Sequence, residues 1–318
     1  MKQIALAAAM LICSTRVDAR LIRIVIEQRE SPAFRGQSFG PAGQYETLSG
    51  RFYGELDPKD PHNSIITDIQ FAPRNARGMV EYSATFAISK PIDVSKSSGV
   101  LFYTVPNRGG GSPSGSEEGH ISFVSGWQGD LLPRAGIQTI AVPVARNQDG
   151  TPLTGPVIQR LINLPANTNT FDLTSADSRG LTYQRPLTLD TSKASLTRRT
   201  SPGAAGVTIP ATDWAFADCS KSPFPGTPEP LKICVKGGFD PESEYTLVFT
   251  AKDPLVLGIG YAATRDLTSF LRYAEKDDTG APNPVAKQVK WALSRGSSQS
   301  GNFIRSYIHL GFNQDESG

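Results

Sequence analysis

The chain has 318 residues, with 32 lysines and arginines against 30 aspartates and glutamates and a formal net charge of +2. That length exceeds the ~250–300 residues at which single cores stop growing, so one large domain with an insertion, or two domains, is expected. The near-neutral balance leaves no electrostatic footprint for nucleic acid, and the 30 glycines and 24 prolines favour a loop-rich enzyme over a helical bundle.

Residues 1–19 read as a signal peptide: Lys2 supplies the positive start, residues 4–13 an apolar stretch, and Val17-Asp18-Ala19 small residues before a cut. The expected mature protein begins near Arg20 and is secreted or periplasmic. The apolar stretch is shorter than the ~20 residues of a spanning helix and no later stretch comes close, so no stable membrane span is expected.

Residues 20–95 alternate apolar and polar positions in short runs at 21–26, 51–54, 65–69 and 80–86, separated by turn-rich stretches such as 57–61. This predicts antiparallel strands. A continuous apolar run at 99–105 predicts a strand buried on both faces, followed by the glycine-rich loop 107–111, and the run 137–145 predicts the next strand of the same sheet. From 147 to 244 the texture is Thr, Ser, Pro and short strand-like pieces, which reads as a β-rich insertion, either a cap or a packing appendage.

Within that insertion Cys219 and Cys234 form an even pair after loss of the leader. In an oxidising compartment the pair reads as one disulfide; no histidine stands nearby to make a metal site or a catalytic thiol. Residues 255–274 then carry apolar or small residues at helical spacing, Ile259, Ala263, Leu267, Phe270, Leu271 and Ala274, and predict a helix packed on the sheet. Arg265 and Asp266 within it read as a solvated or locally paired couple.

The chemistry-bearing stretch is 289–308. A strand-like piece runs through Gly296-Ser297-Ser298-Gln299-Ser300-Gly301 into a helix-like piece with Phe303, Ile304, Tyr307 and Ile308 on its apolar side. Strand, sharp turn and helix are the context of a nucleophile elbow, which needs small residues two before and two after the nucleophile. Gly296 and Ser300 flank Ser298, whereas Ser298 and the bulkier Asn302 would flank Ser300, so Ser298 is the preferred nucleophile. The Gln299 amide at the helix start is the expected first oxyanion donor. Arg108 or Gly109 of the loop after the earlier strand is the expected second, with no choice between them.

Together Asn107-Arg108-Gly109, Gly126-Trp127-Gln128-Gly129-Asp130, Ala262-Ala263-Thr264-Arg265-Asp266 and the segment around Ser298 resemble a group of bacterial alpha/beta hydrolase domain-containing proteins. The resemblance spans most of the mature chain. It implies an α/β class with an α/β-hydrolase sheet, a serine nucleophile matching Ser298, and no defined substrate. Members continue well beyond the length of this chain.

The expected organisation is a signal peptide at 1–19 and a β-rich N-terminal part at 20–95. First central strands with an oxyanion loop occupy 96–146, a β-rich insertion or cap 147–244, and core through the elbow 245–318. The expected function is a secreted serine esterase acting on a small-molecule ester without cofactor or metal. A peptidase on the same framework is the second reading and is not separable from the esterase by the residues up to the elbow; a binding or structural module without catalysis is the alternative of a different class. In this fold the acid and histidine follow the serine. After Ser298 the only histidine is His309, eleven residues on in the same helix and, at 1.5 Å rise per residue, ~16 Å away. His62 and His120 precede the elbow and read as surface or loop residues, and Asp315 and Glu316 fall at the end of the sequence. The expectation is a chain that stops before its acid and base and has almost no turnover by itself.

Overall fold

The computed structural model describes residues 20–173 and 185–314. The expected leader, Asp315 and Glu316 lie outside the described residues. The largest sheet runs, edge to edge, through strands Arg20–Glu30, Gly43–Leu56, Val80–Pro91, Ile121–Ser125, Val100–Thr104 and Trp291–Arg295. The first four pair antiparallel, with a long register from Tyr45 opposite Pro91 to Leu56 opposite Val80. Only two pairings among the described residues are parallel, Val100–Thr104 with Ile121–Ser125 and with Trp291–Arg295.

The α/β class and the α/β-hydrolase sheet expected from the elbow are therefore corrected. The described residues hold eighteen strands and three α-helices, and the strands fall into four mainly antiparallel sheets. The physical reason lies in the connections. A parallel pair needs a crossover of a dozen or more residues, usually a helix. Here residues 105–120 make that crossover without one, and the antiparallel neighbours need none.

Two further expectations shift. The run 99–105 becomes Val100–Thr104 with alternating burial, Leu101 and Tyr103 inward, while Ile121–Ser125 is the strand buried on both faces. Of 137–145 only Ile140–Ala141 forms a strand, against Val80–Pro91, and Val144 adds a single bridge to Leu255. Pro143 lacks an amide and cannot continue a ladder. Residues 65–69 form turns leading to a short 3-10 helix at Ile69–Phe71 rather than a strand.

Helix Ile259–Tyr273 lies within the predicted span and buries Ile259, Ala262, Ala263, Leu267, Phe270 and Leu271 against the large sheet. Phe52, Phe86, Leu101, Ile121 and Phe123 meet it from the strands, and Phe303 and Phe312 join from the C-terminal side. At ~1.5–3 kcal/mol for each fully buried large apolar side chain, this face is the main source of cohesion for the sheet. Arg265 and Asp266 are not solvated. Both are buried, Arg265 Nε donates to Asp266 Oδ1 at 2.8 Å, and the Tyr82 hydroxyl donates to Asp266 Oδ2 at 2.7 Å, tying helix to sheet.

Strands Thr154–Leu161, Glu244–Lys252, Ser195–Arg199 and Val207–Ile209 build a separate antiparallel sheet with its own core. Glu244–Lys252 turns Tyr245, Leu247, Phe249 and Ala251 inward, a period-two pattern, onto Trp214, Phe216, Leu196 and Leu161. Cys219 and Cys234 form the expected disulfide, with Cα atoms 6.0 Å apart. No helix among the described residues is long and apolar enough to cross a membrane.

Candidate active site

The three parallel strands end side by side, so the loops that follow them, at 105–111, 126–129 and 296–298, emerge at one end of the sheet. Crevices outside the carboxyl ends of parallel strands are where such arrangements hold ligands. Ser298 sits between strand Trp291–Arg295 and helix Gln299–His309 with φ 55° and ψ −121°. For a residue with a Cβ this is sparsely populated backbone, costing on the order of 1–3 kcal/mol, and it persists only where the surroundings impose it.

The surroundings here are close contacts. A Cβ at Gly296 would overlap the Ser300 carbonyl oxygen, so only glycine lets strand and helix approach this closely. Ser298 occupies the N-cap position, where serine ordinarily bonds back to a helix amide, yet its side chain makes no capping bond. The residue is exposed. Ser300 is the opposite case. It is 3% exposed, its Oγ donates to the Ser297 carbonyl at 2.8 Å and accepts from the Ser297 amide at 2.9 Å. That hydroxyl staples the turn and is inaccessible to a substrate.

Gln299 opens the helix, and its amide makes no backbone hydrogen bond among the described residues, leaving it directed at the space before the helix. The Arg108 amide donates to Gln299 Oε1 at 3.3 Å, and Asn107 Nδ2 donates to the Ser297 carbonyl at 3.2 Å. The turn containing Arg108 and Gly109 is thus brought against the elbow, 190 residues away in sequence. Arg108 and Gly109 both have positive φ, 47° and 73°. The Gly109 carbonyl accepts from the Gln138 amide at 2.8 Å, and a Cβ there would run into Ile137 and the Gln138 carbonyl.

Two residues of the third loop contribute contacts that carry no mark in the sequence. Trp127 Nε1 donates to the Pro106 carbonyl at 2.8 Å while its ring packs on Phe303 at 4.6 Å between centroids. Gln128 accepts at Oε1 from Gln299 Nε2 at 3.2 Å.

The histidines stand elsewhere. His120 precedes Ile121–Ser125 and so lies at the opposite end of the parallel strands, about 16 Å of strand from the elbow. Its Nδ1 is 2.9 Å from Ser98 Oγ and its ring stacks on Phe102. His62 Nδ1 is 3.0 Å from Asp60 Oδ1, and His309 ends the helix that Ser298 begins. Ser298 makes no contact with any of them. Burial pushes the Tyr103 hydroxyl up to about 12, against hydrogen bonds with Ser125 and Thr264, so beneath the strands it stays protonated and cannot serve as a base at neutral pH. A cavity of about 380 Å³ opens between strand Trp291–Arg295 and helix Gln299–His309, lined among others by Tyr103, Leu293, Phe303 and Tyr307; Ser298 is not part of it. Among the described residues no three side chains of metal-binding type cluster.

In comparisons with known proteins, no family, no curated protein and no solved structure gives a significant match.

Proposed function

We propose that this protein is a serine-dependent hydrolase of carboxylic esters with Ser298 as nucleophile. One observation carries the reading: at a position where serine normally caps a helix, Ser298 holds a strained backbone that leaves its hydroxyl exposed and without a capping bond. Other residues also have positive φ, but at Ser298 the strained backbone stands at a strand-to-helix turn closed by a glycine two positions earlier, which is the context of a nucleophile.

In the reaction, Ser298 Oγ attacks the ester carbonyl carbon, and the carbonyl oxygen takes up negative charge beside the Gln299 amide and a second amide from the Arg108–Gly109 turn. The alcohol leaves with a proton, and water then cleaves the acyl-serine, returning Ser298 and releasing the acid. A base must accept the Ser298 proton. The described residues supply none in contact with it, which favours a second reading, a binding module whose serine is not activated. The disulfide supports placing the protein in an oxidising, extracytoplasmic compartment.

Hydrolysis of p-nitrophenyl butyrate by the native protein and its Ser298→Ala variant separates the two readings. An esterase loses about 10⁴–10⁶-fold in kcat on that substitution. Equal rates in parent and variant would falsify the assignment, and no turnover by either leaves the binding module as the answer.

A further inference from the structure

Three loops meet at the elbow, and one uncharged side chain touches the residue that links the other two. Gln128 is 7% exposed and follows a backbone fixed on both sides: a Cβ at Gly126 would overlap the Thr139 carbonyl, and Gly260 packs directly on the Trp127 carbonyl. Its Oε1 accepts from Gln299 Nε2 at 3.2 Å, and Gln299 Oε1 accepts from the Arg108 amide at 3.3 Å. A buried amide that lost such a partner would be left with an unsatisfied donor, so the chain of bonds holds as a unit. It also fixes the sense of the Gln299 amide, because the reverse orientation sets an NH₂ against the Arg108 N–H.

We propose that Gln128 is a positioning residue for the second oxyanion donor, and that this donor is the Arg108 amide rather than that of Gly109. The inference rests on the reading of Ser298 as nucleophile. Gln128 orients the Gln299 carboxamide, and that carboxamide holds the Arg108 N–H beside the elbow as a neutral, replaceable acceptor. A developing oxyanion binds an amide about twice as strongly as a neutral carbonyl does, so it takes the Arg108 N–H over from Gln299 Oε1. The donor is thereby satisfied before substrate arrives and already in place when charge develops. Neither glutamine side chain touches the reacting atoms; of the two residues only the Gln299 backbone amide does.

The test compares Gln128→Leu, which fills the same buried space without an acceptor, with Gln128→Glu, which keeps an acceptor oxygen. In the native protein, kcat and KM for p-nitrophenyl butyrate and hydrogen exchange at the Arg108 amide are measured for parent and variants. Gln128→Leu is expected to lower kcat about tenfold to a hundredfold, to leave KM within about twofold and to speed Arg108 exchange; Gln128→Glu restores both. The inference is overturned by unchanged Arg108 exchange in Gln128→Leu, or by equal kcat loss in the two variants. A parent without turnover overturns the nucleophile reading and the catalytic part of this one, while exchange at Arg108 still decides whether Gln128 positions it.

Discussion

The corner at Ser298 and the sheet built on Glu244–Lys252 hold together by different means. The second has a core of its own in which Trp214, Phe216, Phe239, Tyr245 and Phe249 meet edge to face, and a disulfide closes one of its loops. The corner has five-residue strands, and the outermost of them, Trp291–Arg295, is exposed along its whole length, with Trp291 at 66%. What fixes its loops is a handful of side-chain bonds from Asn107, Trp127, Gln128 and Gln299, together with the Trp127 ring packed on Phe303. Cohesion is thus concentrated away from the strained serine. The corner keeps shape through directional polar contacts, which position atoms well and contribute only ~0.5–1.5 kcal/mol each.

If the two regions are energetically separate, a large lesion in one should leave the other working. Trp214→Ala, which empties the centre of the second core, is expected to cost about 3–5 kcal/mol of that unit's stability. Ser298 reactivity at low temperature should stay unchanged. Chemical denaturation followed by fluorescence, beside phosphonate labelling, reads both, and a parallel loss of reactivity breaks the separation. Replacing Cys219 and Cys234 together by serine opens a short loop and should cost about 3 kcal/mol or less, again confined to that unit, which thermal unfolding with and without reductant would measure.

On the other side, Gly296→Ala forces strand and helix apart at the Ser300 carbonyl and should cost about 1–3 kcal/mol. Labelling of Ser298 should fall far more than global stability does, because the turn that carries the hydroxyl is what moves. A variant labelled like its parent would show that the strain is dispensable.

The smallest effect concerns Asp277, whose carboxylate accepts from the amides of Ile24, Thr279 and Ala281 and from the Thr279 hydroxyl. Burial works to raise its pKa, but these hydrogen bonds together outweigh it and hold the carboxyl below the usual aspartate range. The folded value is depressed, so the stabilisation is present above the unfolded value of ~3.9 and is lost as pH falls through the folded one. Asp277→Asn should cost about 1–2 kcal/mol near neutral pH and flatten the acid limb of the stability profile, measured by urea unfolding from neutral to acid pH.

The strand-turn-helix around Ser298 was legible in the sequence because its constraint is local: small residues, Gly296 and Ser300, stand within five positions, and a helical apolar stripe follows at once. Helix Ile259–Tyr273 was legible for the same kind of reason, a 3.6-residue period in one stretch. The class of the sheet was not. A strand-turn-helix fixes the direction of its own neighbours only, and Gly43–Leu56 or Val80–Pro91 would read as antiparallel strands beside any partner. Ile121–Ser125 was overlooked because two serines and a preceding loop of glycine, serine and glutamate dilute its apolar signal, although it is the most buried strand of the sheet. Gln128 is still less legible. An uncharged amide advertises nothing until its partner, 171 residues on, is placed beside it.

The central claim, that Ser298 is an activated nucleophile held out of its cap, is tested most directly by peptide mass spectrometry of the native protein after reaction with a fluorophosphonate. The account predicts a single adduct on Ser298, with Ser297 and Ser300 unmodified and no adduct in Ser298→Ala. An adduct on Ser297 or Ser300, or a parent protein that takes up no phosphonate, would contradict it.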